Sequence, residues 1–72
     1  MNSRKQNLST QKEFGERIKV AREKSGLTQA EVAKKANITV NYYAMMERGE
    51  VNPSFEKIKN IAKVLKIKIT IS

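Results

Sequence analysis

Seventy-two residues allow one small domain, and a chain with neither Cys nor His has no disulfide, no zinc ligand set of the usual kind, and no thiol or imidazole for catalysis. Fifteen Lys and Arg against seven Glu, with no Asp, give a formal charge of +8, a field that draws polyanions, of which nucleic acid is the commonest in a cell. The plainer reading of that charge is a lysine-rich surface that keeps a small protein soluble.

Residues 1–9 are polar and unpatterned, with Arg4 and Lys5 as their only charges. They are expected to form a flexible basic arm, either an inert tail or one that reaches along a polyanion. A first helix is expected to begin near Thr10, because Thr10 followed by Glu13 is a capping-box spacing. Phe14, Ile18 and Ala21 recur at helical spacing and, with Leu27, mark its buried face; Arg22 sits beside that face. Gly26 ends the helix where a left-handed residue is usually needed.

A second helix runs from Thr28 to about Ala36, opened by another capping box, Thr28 with Glu31. Its apolar stripe is Val32, Ala33 and Ala36, narrow enough for another helix to come close, while Lys34 and Lys35 face outward. Asn37 tolerates the left-handed conformation and supplies a sharp turn. Ile38 plugs the corner, and Thr39 caps a third helix that extends to about Arg48. In that helix Tyr43 and Met46 point to the core, leaving Val40, Asn41, Tyr42, Ala44 and Met45 on the other side, and Gly49 stops it.

Glu50 to Pro53 form a loop, since the residue before proline resists helix. Ser54 caps a fourth helix with Phe55, Ile58, Ile61, Ala62 and Leu65 inside and Glu56, Lys57, Lys59, Asn60 and Lys63 outside. The final stretch, Lys66 to Ser72, alternates polar and β-branched residues, the pattern of a short strand. No apolar run approaches the roughly 20 residues that span a bilayer, and the polar N-terminus is no signal peptide. The seven Glu stand mostly beside Lys or Arg, and Gly15, Gly26 and Gly49 are too far apart for a phosphate loop. The expectation is a cytoplasmic protein that is not an enzyme, with no cofactor, no metal and no membrane partner.

Ala33, then Asn37, then Tyr43 and Met46 carry the spacing of a helix-turn-helix: a small residue where two helices touch, a left-handed turn, and apolar anchors in the second helix. The wider string is more specific. Gly26-Leu27-Thr28-Gln29, Glu47-Arg48-Gly49 and Asn52-Pro53-Ser54 resemble the recurring segments of the Cro/C1-type (XRE-type) helix-turn-helix family of phage and bacterial regulators, over about Phe14 to Leu65. The resemblance implies an all-α fold, a compact bundle of four to five helices of lambda-repressor-like type over residues 10–72, with the helix-turn-helix at 28–48.

It also implies roles. Thr28 and Gln29, at the first turn of the second helix, would meet a phosphate together with free backbone N–H groups. Thr39, Val40, Asn41, Tyr42 and Met45 would lie on the DNA-facing side of the recognition helix, and Arg48 and Asn52 would hold the backbone. Arg22 and Glu47 match positions that form a structural ion pair between the first and third helices. The partner implied is double-stranded DNA, bound by a homodimer on a two-fold operator with half-sites ~34 Å apart. The function implied is that of a transcriptional regulator, a repressor above all, bacterial or phage-encoded and associated with the nucleoid.

Two departures qualify the pattern. The reading face has no Arg, whose bidentate pairing with guanine is the commonest specific contact. Asn41 can pair with adenine, while Val40 and Met45 can only touch a thymine methyl or a sugar, which predicts A·T-leaning recognition or affinity carried by phosphates. Apolar residues on that face also suit a protein partner, so the alternative is an adaptor or antitoxin module that binds through the third helix. At the C-terminus relatives commonly continue into a fifth helix. Here Ile67 and Ile69 could cover the core, leaving Ile71 and a strand edge for a two-fold mate or for the same subunit.

Overall fold

The computed structural model describes residues 3–68, with side chains from residue 10 onward. Four helices follow in order: α1 (Ser3–Ser25), α2 (Gln29–Ala36), α3 (Val40–Glu47) and α4 (Phe55–Leu65). No helix is long and apolar enough to cross a membrane among the described residues. Helices α1 and α2 each pack on both α3 and α4. Between them lie Ile18, Val32, Tyr43, Met46 and Ile61, all fully buried. Each of the wholly apolar ones contributes about 1.5–3 kcal/mol by leaving water, and Phe14, Leu27, Ile38 and Val51 close the margins.

The first helix starts earlier than expected. Thr10 and Glu13 lie inside α1, which begins at Ser3 rather than near Thr10, so residues 3–9 of the expected arm are part of the helix. The reason is propagation. Residues 3–12 contain neither Gly nor Pro, and extending a formed helix fixes one residue per hydrogen bond gained, whereas nucleation fixes several. The first turn carries no acidic residue to favour a start there, so the local signal at Thr10 is stronger than the one at the true end.

The other starts agree with their caps. Thr28, Thr39 and Ser54 are extended and accept from the backbone N–H of Glu31, Tyr42 and Lys57. At Thr28 the box is complete, because Glu31 Oε1 also accepts the Thr28 N–H at 2.8 Å.

All four helices end in one way: a left-handed residue, followed by an N–H that reaches back five residues. Leu27, Ile38, Glu50 and Ile67 donate to the carbonyls of Arg22, Ala33, Met45 and Ala62. Asn37 takes this role between α2 and α3 with φ 62°. Lys66 takes it after α4 with φ 57°, a conformation costing an ordinary side chain about 1–2 kcal/mol. Ile67 packs on the core directly after it, which offsets that cost. The expected strand therefore does not begin at Lys66. Residues 66–68 are turn and coil, and the rest of that stretch, 69–72, lies outside the described residues.

Phe55 is a second correction. Periodicity assigns it to the inner face of α4, but it is 54% exposed, with Lys59 Nζ 5.7 Å from its ring centre. The buried line of α4 centres on Ile61 and Leu65. As the first helical residue, Phe55 lies a turn beyond Ile58 and past the end of that line.

Candidate nucleic-acid interface

A close backbone approach builds the site. Gly15 lies against the last turn of α3, so near that a Cβ there would meet the carbonyl oxygens of Glu47 at 2.5 Å and Met46 at 2.6 Å. With α1 and α3 this close, Arg22 reaches across to Glu47. Its Nε donates to Oε2 at 2.6 Å, its Nη2 to Oε1 at 3.3 Å, and its Nη1 to the Leu27 carbonyl at 3.0 Å. The pair is well enclosed, with side chains 14% and 4% exposed.

Gln29, the first residue of α2, joins them: its Nε2 donates to Glu47 Oε1 at 2.8 Å. Burial alone would push the Glu47 carboxyl up. The Arg22 guanidinium, the nearby Tyr43 hydroxyl and the Gln29 amide together outweigh burial and hold it below the ordinary carboxylate value. Arg22 is raised in turn, chiefly by its hydrogen bond to Glu47 and against the effect of burial. The Tyr43 phenol is pushed far above its ordinary value, first by burial and then by the neighbouring carboxylate. Its hydroxyl is buried beside the pair but makes no hydrogen bond of good geometry among the described residues.

Above this floor opens a polar cleft whose walls include Lys12, Lys19, Gln29 and Arg48. Lys12 and Lys19 are not among the site residues that the sequence implies. They stand seven residues apart, two turns of α1, so their shared stripe is visible in the sequence, though not what it borders. Arg48 is exposed and donates to Glu50 at 3.0 Å, which raises the one and lowers the other through that hydrogen bond. At the α2 N-terminus the capping box occupies the N–H groups of Thr28 and Glu31. Those of Gln29 and Ala30 have no helical acceptor by position.

The expected reading residues divide into two groups. Val40, at 47% exposure, is open to solvent, as are Thr28, Thr39, Asn41 and Asn52. Tyr42 and Met45 are only half exposed. Tyr42 packs against the core margin with Lys57 Nζ 5.6 Å from its ring centre. Asn41 Nδ2 lies 3.8 Å from Met45 Sδ, one turn on. This leaves Val40 and Asn41 as the tip of α3, flanked by the capping hydroxyl of Thr39. Among the described residues no group of three or more acidic, His or Cys side chains could hold a metal ion.

Residues 18–71 match the model of a family described as helix-turn-helix. The chain is similar to an immunity repressor protein of Bacillus phage phi105, 39% identical over 56 residues, which cover 78% of this chain and 39% of the relative. It is similar to the HTH-type transcriptional regulator DdrOP3 of Deinococcus deserti, 35% identical over 54 residues, 75% of this chain and 42% of the relative. An uncharacterized HTH-type transcriptional regulator of Archaeoglobus fulgidus is 38% identical over 53 residues, 74% of this chain and 76% of the relative. The chain thus spans about two fifths of the length of the first two relatives.

Proposed function

The chain belongs to the Cro/C1-type helix-turn-helix family, and from that premise we propose that it binds double-stranded DNA through α2 and α3 and regulates transcription, as a repressor acting on a two-fold operator. The observation that carries this reading is the unit α2–Asn37–α3. A left-handed Asn37 turns the chain, and a capped α3 presents Val40 and Asn41 to solvent, while its C-terminal end closes a cleft lined by Lys12, Lys19 and Arg48 together with Glu16 and Glu50. The relatives' names, an immunity repressor and transcriptional regulators, support the same function.

In this mechanism phosphates provide affinity and α3 provides register. Gln29 and the free N–H groups of the α2 N-terminus take one phosphate, and Arg48 and Asn52 take the backbone beyond α3. Asn41 pairs with an adenine edge, and Val40 contacts a thymine methyl. With no Arg on the reading face, discrimination is modest and leans toward A·T. Two copies of this bacterial or phage-encoded chain, associated with the nucleoid, occupy half-sites ~34 Å apart. The test is selection of bound duplexes from a random pool, with the mass of the free and bound protein measured. Enrichment of a two-fold, A·T-leaning site supports the proposal. Failure to bind any duplex at moderate salt, with capture of a protein partner that Met45→Glu abolishes, would favour the adaptor reading instead.

A further inference from the structure

Resemblance assigns Glu47 to the scaffold alone, as the partner of Arg22. The geometry points to a second role, and we infer that Glu47 is a positioning residue for DNA, holding the Gln29 amide in the orientation that presents it to a phosphate. The inference rests on the proposed phosphate role of Gln29.

The three side chains form one connected chain of hydrogen bonds across three helices. Arg22 on α1 fixes the Glu47 carboxylate with two donors. The same carboxylate, on α3, accepts Gln29 Nε2 at 2.8 Å from the first position of α2. A Gln side chain has several rotatable bonds, and a free one samples many orientations before any one of them meets a ligand. An acceptor that is 4% exposed is desolvated, so its bond to Nε2 is charge-assisted and directional. An amide nitrogen carries two hydrogens. With one committed to Glu47, the other remains, and the backbone N–H of Gln29 itself has no helical acceptor by position. The α2 N-terminus then offers a held side-chain donor and a backbone donor on the same residue before DNA arrives.

Arg22 has a matching purpose. A bare carboxylate next to a phosphate track would repel it. Paired with Arg22, the group is neutral overall, so Glu47 can orient Gln29 without that penalty. Fixing one side chain in advance is worth roughly three- to tenfold in affinity. The contact reads no base, so the gain is the same for every duplex.

A thermodynamic cycle in the full chain separates positioning from scaffolding. Arg22→Leu/Glu47→Leu removes both charges together, a replacement that leaves folds intact in comparable cases, and keeps the net charge at its native value. It is compared with Gln29→Ala and with the triple variant, on a selected duplex and a scrambled one. Positioning predicts that Arg22→Leu/Glu47→Leu and Gln29→Ala each weaken both duplexes by a similar factor. Gln29→Ala then costs less in the paired background than in the native chain, and the salt dependence of binding stays native, since no cation that meets a phosphate is lost. If Gln29→Ala costs the same factor in both backgrounds, or the paired variant binds like the native chain, the inference is overturned while the DNA reading stands. A native chain that binds no duplex overturns both.

Should the paired variant not fold, relaxation of the Gln29 side-chain amide nitrogen in the unbound native chain decides. An amide as rigid as the α2 backbone agrees with positioning; one that rotates freely overturns it.

Discussion

Gly15 and Glu47 meet backbone to backbone: a Cβ on Gly15 would lie 2.5 Å from the Glu47 carbonyl oxygen. In an isolated helix Gly15→Ala would gain about 1 kcal/mol of propensity. Here the methyl meets main-chain carbonyls that cannot rotate away, and overpacking of this kind costs about 1–3 kcal/mol. The overpacking term wins. Gly15→Ala is expected to melt at lower temperature than the native chain, by roughly 4–8 °C for each kcal/mol lost in a domain of this size. Thermal unfolding followed by circular dichroism checks it, and a raised melting temperature would show that α1 can separate from α3 freely.

The two left-handed non-glycine residues give opposite expectations. Asn37→Ala loses about 1 kcal/mol or more, because alanine lacks the local hydrogen bonding that lets Asn occupy φ 62°. Lys66→Gly relieves a strained lysine at φ 57°. It is expected to stabilise by a few tenths of a kcal/mol once the extra freedom of unfolded glycine is subtracted. Urea titration of the two variants beside the native chain measures both signs.

Removing one partner of the enclosed ion pair is expected to be costly. Glu47→Ala leaves Arg22 unpaired and is expected to cost about 3–5 kcal/mol. A chain of this length has a total stability of roughly 4–11 kcal/mol, so the variant loses a large part of it and should unfold far below the native urea midpoint. The pH dependence follows in sign. The folded-state value of Glu47 lies below its ordinary value, so its contribution is complete above the ordinary carboxylate value and is lost as pH falls through the depressed one. Urea midpoints should therefore drop on acidification in the native chain, and drop less in Arg22→Leu/Glu47→Leu.

On DNA, Asn41 and Arg48 should fail differently. Asn41→Ala is expected to cost about 1–3 kcal/mol on the selected duplex and to relax preference at one base pair. Arg48→Ala should weaken all duplexes alike and lower the slope of affinity against salt by about 1. Titrations at several salt concentrations tell them apart. Equal losses on selected and scrambled duplexes for Asn41→Ala would remove it from base reading.

Glu50 holds Arg48 in an exposed pair and adds a negative charge beside the proposed phosphate path. Glu50→Gln frees the guanidinium and should strengthen binding to every duplex. The same titrations measure it, and weaker binding would mean that Glu50 orients Arg48 for its contact.

What the amino-acid sequence determined by itself is the local grammar. The caps at Thr28, Thr39 and Ser54, the turn at Asn37 and the buried line from Ile18 through Tyr43 to Ile61 could all be read, because each rests on partners within a turn or two of helix or on a repeat set by helical geometry. The Arg22–Glu47 pair, 25 residues apart, was reachable only through resemblance to a family. Local signals misled where a boundary was decided by something other than a cap: α1 propagates past Thr10 to Ser3, and Phe55 has apolar character but no neighbour to cover it. Tertiary structure alone decided the rest. That Gly15 lets two backbones touch, that Lys12 and Lys19 border a cleft, and that Gln29 is held by Glu47 all depend on segments brought together from distant parts of the chain. The physical reason is one of range. Capping and periodicity act within the reach of a single side chain, whereas the site forms only where three helices have packed and excluded water from the charges between them.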